Sequence, residues 1–118
     1  MANRNYINGR HTEYMYRDFL LSDDYDVCLR TAGSHSPIDL IAIGKKGICM
    51  VQMKKTAQKP SIRTYAQEIQ DLADVEVPTH CTHWEKRFVV HCTKKGFKGF
   101  HIMWQKSGNG DEVLVKNL

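Results

Sequence analysis

Residues 37–54 decide the fold: Pro37-Ile38-Asp39-Leu40-Ile41-Ala42-Ile43-Gly44-Lys45-Lys46-Gly47-Ile48-Cys49-Met50-Val51-Gln52-Met53-Lys54. Two β-rich apolar runs, 38–43 and 48–54, flank Gly-Lys-Lys-Gly, the pattern of a tight β-hairpin. A turn symmetric about Lys45-Lys46 sets Asp39 opposite Gln52, and an odd-length turn would break that register. Side chains alternate between the faces of a strand. One face then carries Asp39, Ile41, Ile43, Ile48, Met50, Gln52 and Lys54. The other carries Ile38, Leu40, Ala42, Cys49, Val51 and Met53. Both faces are apolar, so both are expected to be covered. The polar exceptions, Asp39, Gln52 and Lys54, fall on one face and at one end.

An acid and an ammonium at the rim of an apolar sheet cost energy unless they are paired or ligated. Two arrangements satisfy them. One is a plain Asp39–Lys54 ion pair. The other is a metal site, in which the Asp39 carboxylate, the Gln52 side-chain oxygen and the Met53 backbone carbonyl are hard oxygen ligands that suit Mg²⁺. Lys54 would then stand beside a phosphate or the attacking water.

Working outward, residues 9–21 predict a first helix, with Tyr16, Phe19 and Leu20 at helical spacing, ended by Ser22-Asp23-Asp24. Residues 25–30 read as a strand and 31–37 as a loop of small residues. Ser61 is a candidate N-cap for a second helix to about Val75, with Ile62, Tyr65, Ala66, Ile69, Leu72 and Ala73 on its apolar face. Further strands are expected over 88–92 and 97–105, and after the Gly108-Asn109-Gly110 turn a last one over 112–115. The order implies an α/β fold with a mixed sheet flanked by helices, and a right-handed crossover through the second helix. A length of 118 residues fits a single domain.

The net charge of +4 is unevenly spread. Residues 40–67 contain no acid but hold Lys45, Lys46, Lys54, Lys55, Lys59 and Arg63; residues 86–110 contain none but hold Arg87, Lys94, Lys95, Lys98 and Lys106. Such segregation makes a face that attracts a polyanion, or simply a solubilising surface. No apolar run approaches the ~20 residues of a membrane helix, and the opening residues lack an apolar signal core. Cys28, Cys49, Cys81 and Cys92 read as mostly buried free thiols of an intracellular protein. His80, Cys81, His83, His91 and Cys92 lack zinc-site spacing, and the adjacent His91 and Cys92 would point to opposite faces.

Pro37-Ile38-Asp39 followed by Gln52-Met53-Lys54 resembles the signature of the PD-(D/E)XK nucleases, with Gln where Glu is usual. The longer run of Gly9, Glu13, Arg30-Thr31-Ala32-Gly33-Ser34, Asp39-Leu40-Ile41-Ala42 and Val51-Gln52-Met53-Lys54 resembles the archaeal and viral Holliday junction resolvases. The resemblance covers roughly residues 9–55. It implies a restriction-endonuclease-like fold and cleavage of branched DNA by a homodimer with Mg²⁺, for which Mn²⁺ would substitute. It implies Glu13, Asp39 and Gln52 as metal ligands, Lys54 as a catalytic partner, and Arg30 and Ser34 in active-site and junction contacts. Tyr14 stands where archaeal relatives often carry a basic residue, which Arg10 or Arg17 would replace. Lys45, Lys46, Lys55, Lys59 and Arg63 would hold the DNA backbone. The same fold also serves restriction-type and repair nucleases, and a non-catalytic DNA-binding module would tolerate the Gln.

Overall fold

The hairpin forms in the register that its spacing dictates. The computed structural model describes residues 4–23, 25–31, 36–78, 80–107 and 110–117, with backbone alone for 4–11 and 107–117. Strands β2 (Leu40–Gly44) and β3 (Gly47–Thr56) pair antiparallel, with Gly44 opposite Gly47 and Leu40 opposite Val51. Gly47 has φ 118°, and a Cβ there would lie 2.1 Å from the His83 carbonyl oxygen. No other residue fits both constraints.

Before the hairpin come α1 (Arg4–Ser22) and β1 (Tyr25–Arg30); after it come α2 (Ala66–Ala73), β4 (His83–Cys92), β5 (Phe100–Ser107) and β6 (Gly110–Asn117). The six strands lie in chain order across one sheet. Only β3 and β4 run parallel, and α2 lies in the crossover between them. The fold is therefore α/β with a mixed sheet and two helices. No described helix is long and apolar enough to cross a membrane.

Each helix covers part of one sheet face. On the α1 face, Leu20 and Tyr16 pack with Tyr25, Cys28, Leu40, Ala42, Cys49, Val51 and Val89. On the α2 face, Leu72, Ile69 and Tyr65 pack with Ile38, Phe88, Val90, Phe100 and Ile102. Tyr65, Ile69 and Leu72 are thus core residues. Fully burying a large aliphatic or aromatic side chain contributes about 1.5–3 kcal/mol, so these two clusters carry most of the packing energy.

The structure corrects several expectations. The first helix begins at Arg4, not at residue 9. Over 61–75 the chain makes a 3-10 turn at Arg63–Tyr65 and then only the short α2. Tyr65 takes the cap position of α2 without a side-chain hydrogen bond, so Ser61 is not its cap. The fourth strand begins at His83 rather than 88. Its polar start is tolerable because its two buried cations find partners. Lys86 donates to the Ala73 and Val75 carbonyl oxygens at 2.8 and 2.5 Å, closing the C-terminal end of α2. Arg87 pairs with Glu85 at 2.7 Å and donates to the Tyr16 hydroxyl at 3.1 Å.

Two further corrections concern the faces. Ile38 packs on the α2 side, away from Leu40, because regular pairing begins only at Leu40 and strand alternation does not reach residue 38. The sheet is also not covered everywhere. Val27 and Ile43 are cross-strand partners, and both are exposed along with Leu29. That side of β1 and β2 lies beyond the short α2.

Candidate active site

The polar edge sits where two paired strands part company. β2 starts at Leu40, whereas β3 continues past its last partner, Val51, to Thr56. Asp39 stands at that notch. Its amide N–H donates to the Val51 carbonyl at 2.7 Å, and its carbonyl accepts from the Thr31 amide at 2.9 Å. Its carboxylate accepts from the Met53 amide N–H at 2.8 Å. A strand residue's N–H and C=O point to the same side. The Met53 carbonyl therefore also faces the notch.

The β2–β3 ladder ends at Leu40 opposite Val51, and the Val51 carbonyl also accepts from the Asp39 amide, so the expected pairing of Asp39 with Gln52 is not part of it; Gln52 and Lys54 share the face of β3 on which their β4 partners Phe88 and Val90 lie. Gln52 is only 8% exposed, and its Oε1 is buried with no hydrogen-bond partner. A buried orphan acceptor costs about 1–3 kcal/mol. Lys54 forms no ion pair among the described residues, so the plain Asp39–Lys54 pair is not present. Lys54 still acts on Asp39 electrostatically, as do Glu13 and Arg30. Burial pushes the Asp39 carboxyl above its ordinary value, with the nearby Glu13 charge adding to this; the Met53 amide, Lys54 and Arg30 oppose it.

Glu13 and Arg30 approach from the α1 side. Arg30 Nε donates to Glu13 Oε2 at 2.5 Å, and both side chains are largely buried. The Arg30 guanidinium also lies 5.4 Å from the centre of the Tyr14 ring. Tyr14, which departs from the resolvase pattern, thus packs against a candidate site residue. Arg30 is held through its Nε by Glu13.

Among the described residues, no three His, Cys, Asp or Glu side chains gather in a way that could hold a metal. The candidate set instead consists of two carboxylates, an amide oxygen and a backbone carbonyl. Glu13 and Asp39 each have one oxygen engaged and one left over. These are hard oxygen donors of the kind that Mg²⁺ takes, and Gln52 Oε1 is the one among them that no donor satisfies. The low charge of the set predicts modest affinity.

Other candidates are placed unevenly. Ser34 lies outside the described residues, together with Ala32 and Gly33, and the Arg10 side chain is not described. Lys45 and Lys46 form the hairpin turn. At ~3.3 Å per residue they stand roughly 20 Å from Gln52, too far to share a local contact with it. Lys55 lies on the α1 face beside an apolar groove lined by Met15, Phe19, Met53 and Met103. Lys59 and Arg63 follow the end of β3, Arg63 opening the 3-10 turn. His91 is exposed and the adjacent Cys92 is buried, so they do face opposite ways.

One feature was hidden in the sequence. The parallel partners β3 and β4 end side by side, with Thr56 opposite Cys92. The Thr93 amide donates to the Thr56 carbonyl at 2.8 Å, and the Cys92 thiol to the Gln58 carbonyl at 3.1 Å. The loops 57–62 and 93–99, one from each acid-free stretch, therefore leave the sheet together, just past the notch. Only the parallel pairing makes them neighbours. No protein-family model and no curated protein matches the sequence, so a function is inferred from the notch and this basic end of the sheet.

Proposed function

We propose that the chain is a Mg²⁺-dependent, structure-selective DNA endonuclease of the Holliday junction resolvase type, with a restriction-endonuclease-like fold. The single observation that carries this reading is Gln52 Oε1, buried and unpartnered on β3 next to Met53, whose amide holds the Asp39 carboxylate. An acceptor in that position asks for a donor or a cation, and the remaining oxygens at the notch favour the cation. The paired basic loops favour a polyanionic substrate.

Glu13, Asp39, Gln52 and the Met53 carbonyl would hold the ion, which supplies charge neutralisation at the phosphate and a more acidic water. Lys54 stabilises charge that develops on the phosphate. Arg30 holds Glu13 through their ion pair and leaves its other oxygen for the ion. The Met53 amide does the same for Asp39. Contacts to the backbone carry little sequence information, so the substrate is chosen by shape. Paired nicks on a four-way junction require two sites related by a two-fold axis. The exposed Val27, Leu29 and Ile43 offer a second copy an apolar surface on β1 and β2.

A non-catalytic DNA-binding module is the rival, favoured by the neutral Gln52 and by the half-engaged carboxylates. Incubation with Mg²⁺ and synthetic four-way, flap and linear DNA separates the two. Symmetric, ligatable nicks in the four-way junction support resolution. Cutting of linear duplex alone points to a restriction- or repair-type enzyme. DNA binding with no cleavage and no heat of Mg²⁺ or Mn²⁺ binding leaves the module.

A further inference from the structure

The two basic loops enclose a pocket that the hydrolytic site does not use. It measures about 340 Å³ and is lined by Lys59, Pro60, Gly96, Phe97, Lys98, Gly99 and Phe100. Its lining joins the apolar Pro60, Phe97 and Phe100 to the cations Lys59 and Lys98. Phe97 is exposed for a large aromatic residue. The Lys59 ammonium lies 5.7 Å from the centre of its ring and the Lys94 ammonium 5.4 Å. Lys59, Lys94 and Lys98 form no ion pair among the described residues, and neither loop carries an acid. Like charges gathered at one ring repel each other unless an anion joins them.

The loop's shape is fixed by its glycines. Gly96 has φ 89°, which excludes ordinary side chains, and a Cβ on Gly99 would lie 1.7 Å from the Val90 carbonyl oxygen. Phe97 is therefore presented by a turn anchored on β4. A flat apolar body with an attached anion matches this pocket, and a nucleotide whose base has left its stack is such a body. Aromatic rings accept any base face, and the flanking ammoniums accept the phosphate.

We propose that this pocket binds an unpaired nucleotide of the DNA, with the base against Phe97 and its phosphate between Lys59 and Lys98. The choice of DNA as ligand rests on the function proposed above. A base pair at a branch point has lost a stacking neighbour and opens at lower cost than one inside a duplex, so the pocket would give that enzyme part of its preference for branched over linear DNA.

The test is fluorescence anisotropy with a labelled oligothymidylate of about eight nucleotides, in EDTA so that cleavage plays no part. Phe97→Leu keeps the bulk and removes the ring, and should weaken binding about tenfold. Phe97→Tyr keeps the ring and should bind like the parent. Affinity for blunt linear duplex should be the same in all three. Equal oligothymidylate binding by parent and Phe97→Leu overturns the proposal, as does an equal loss in Phe97→Tyr. Competition by inorganic phosphate that leaves no difference between the variants reduces the pocket to an anion site. Loss of self-association in Phe97→Leu, seen by sedimentation with unchanged DNA affinity, assigns the pocket to a second copy instead. Because no metal is present, a failure here leaves the metal site standing, and failed cleavage leaves this binding result standing.

Discussion

Replacing Gln52 by methionine should make the metal-free protein more stable and the metal-dependent protein inactive. Methionine has nearly the same length and volume, and its thioether needs no hydrogen bond. Gln52 Oε1 is buried without a partner, a penalty of about 1–3 kcal/mol. Methionine removes that penalty and adds apolar contact with Phe88, the neighbouring residue on β4. Some of the gain is offset by the loss of amide hydration, which leaves a net of about 1 kcal/mol. For a domain of this size that is a rise in Tm of roughly 3–6 °C. Thermal unfolding in EDTA reads it directly. Repeating the scan with Mg²⁺ adds a second, opposite signature. A ligand at a hundred times its Kd stabilises the parent by about 2.7 kcal/mol, and Gln52→Met should lose most of that shift. A variant that melts below the parent in EDTA would refute the reasoning, because Oε1 would then be making a favourable interaction in the free protein.

Other outcomes follow from the same geometry. Gln52→Glu adds a negative charge to the notch and should keep cleavage while tightening Mg²⁺ binding, measured by calorimetry; unchanged affinity would remove Gln52 from the ligand set. Burial raises the Asp39 carboxyl, so its charged form opposes folding at neutral pH, and that cost vanishes as pH falls and the folded protein takes up the proton. Asp39→Asn should therefore be more stable than the parent near pH 7, with the gain shrinking below the raised Asp39 value in urea titrations over a pH series. Lys86, only 3% exposed, donates to two carbonyls at the end of α2, so Lys86→Met should cost about 2–3 kcal/mol in urea unfolding. Cys28, Cys49 and Cys92 are buried, and burial pushes the Cys49 thiol up to about 12, so a thiol reagent should modify Cys81 well before the other three in the folded protein.

The hairpin was legible because glycine, alternation and a two-residue turn leave a single register. Leu40 and Val51 could be placed opposite each other on that basis alone, but the ladder stops there and does not carry on to Asp39 and Gln52. The notch was not legible, because it depends on where β2 stops pairing, and Ile38 continues the apolar pattern without continuing the strand. The polar start of β4 reads as loop until Lys86 meets the end of α2 and Arg87 meets Tyr16, partners far away in the chain. The short α2 explains the bare Val27 and Ile43, since nothing in the apolar spacing of 61–75 signals that its first turn is 3-10. The Phe97 pocket needs the parallel pairing of β3 with β4, which brings together two loops that are unrelated in sequence.

The central claim is that Asp39 and its neighbours at the notch make a hydrolytic metal site. The most direct measurement is cleavage of a synthetic four-way junction in Mg²⁺ by the parent and by Asp39→Asn, with junction binding measured alongside in Ca²⁺. Paired nicks by the parent, none by the variant, and similar binding by both are the expected result. Nicking by Asp39→Asn at the parent's rate would contradict it.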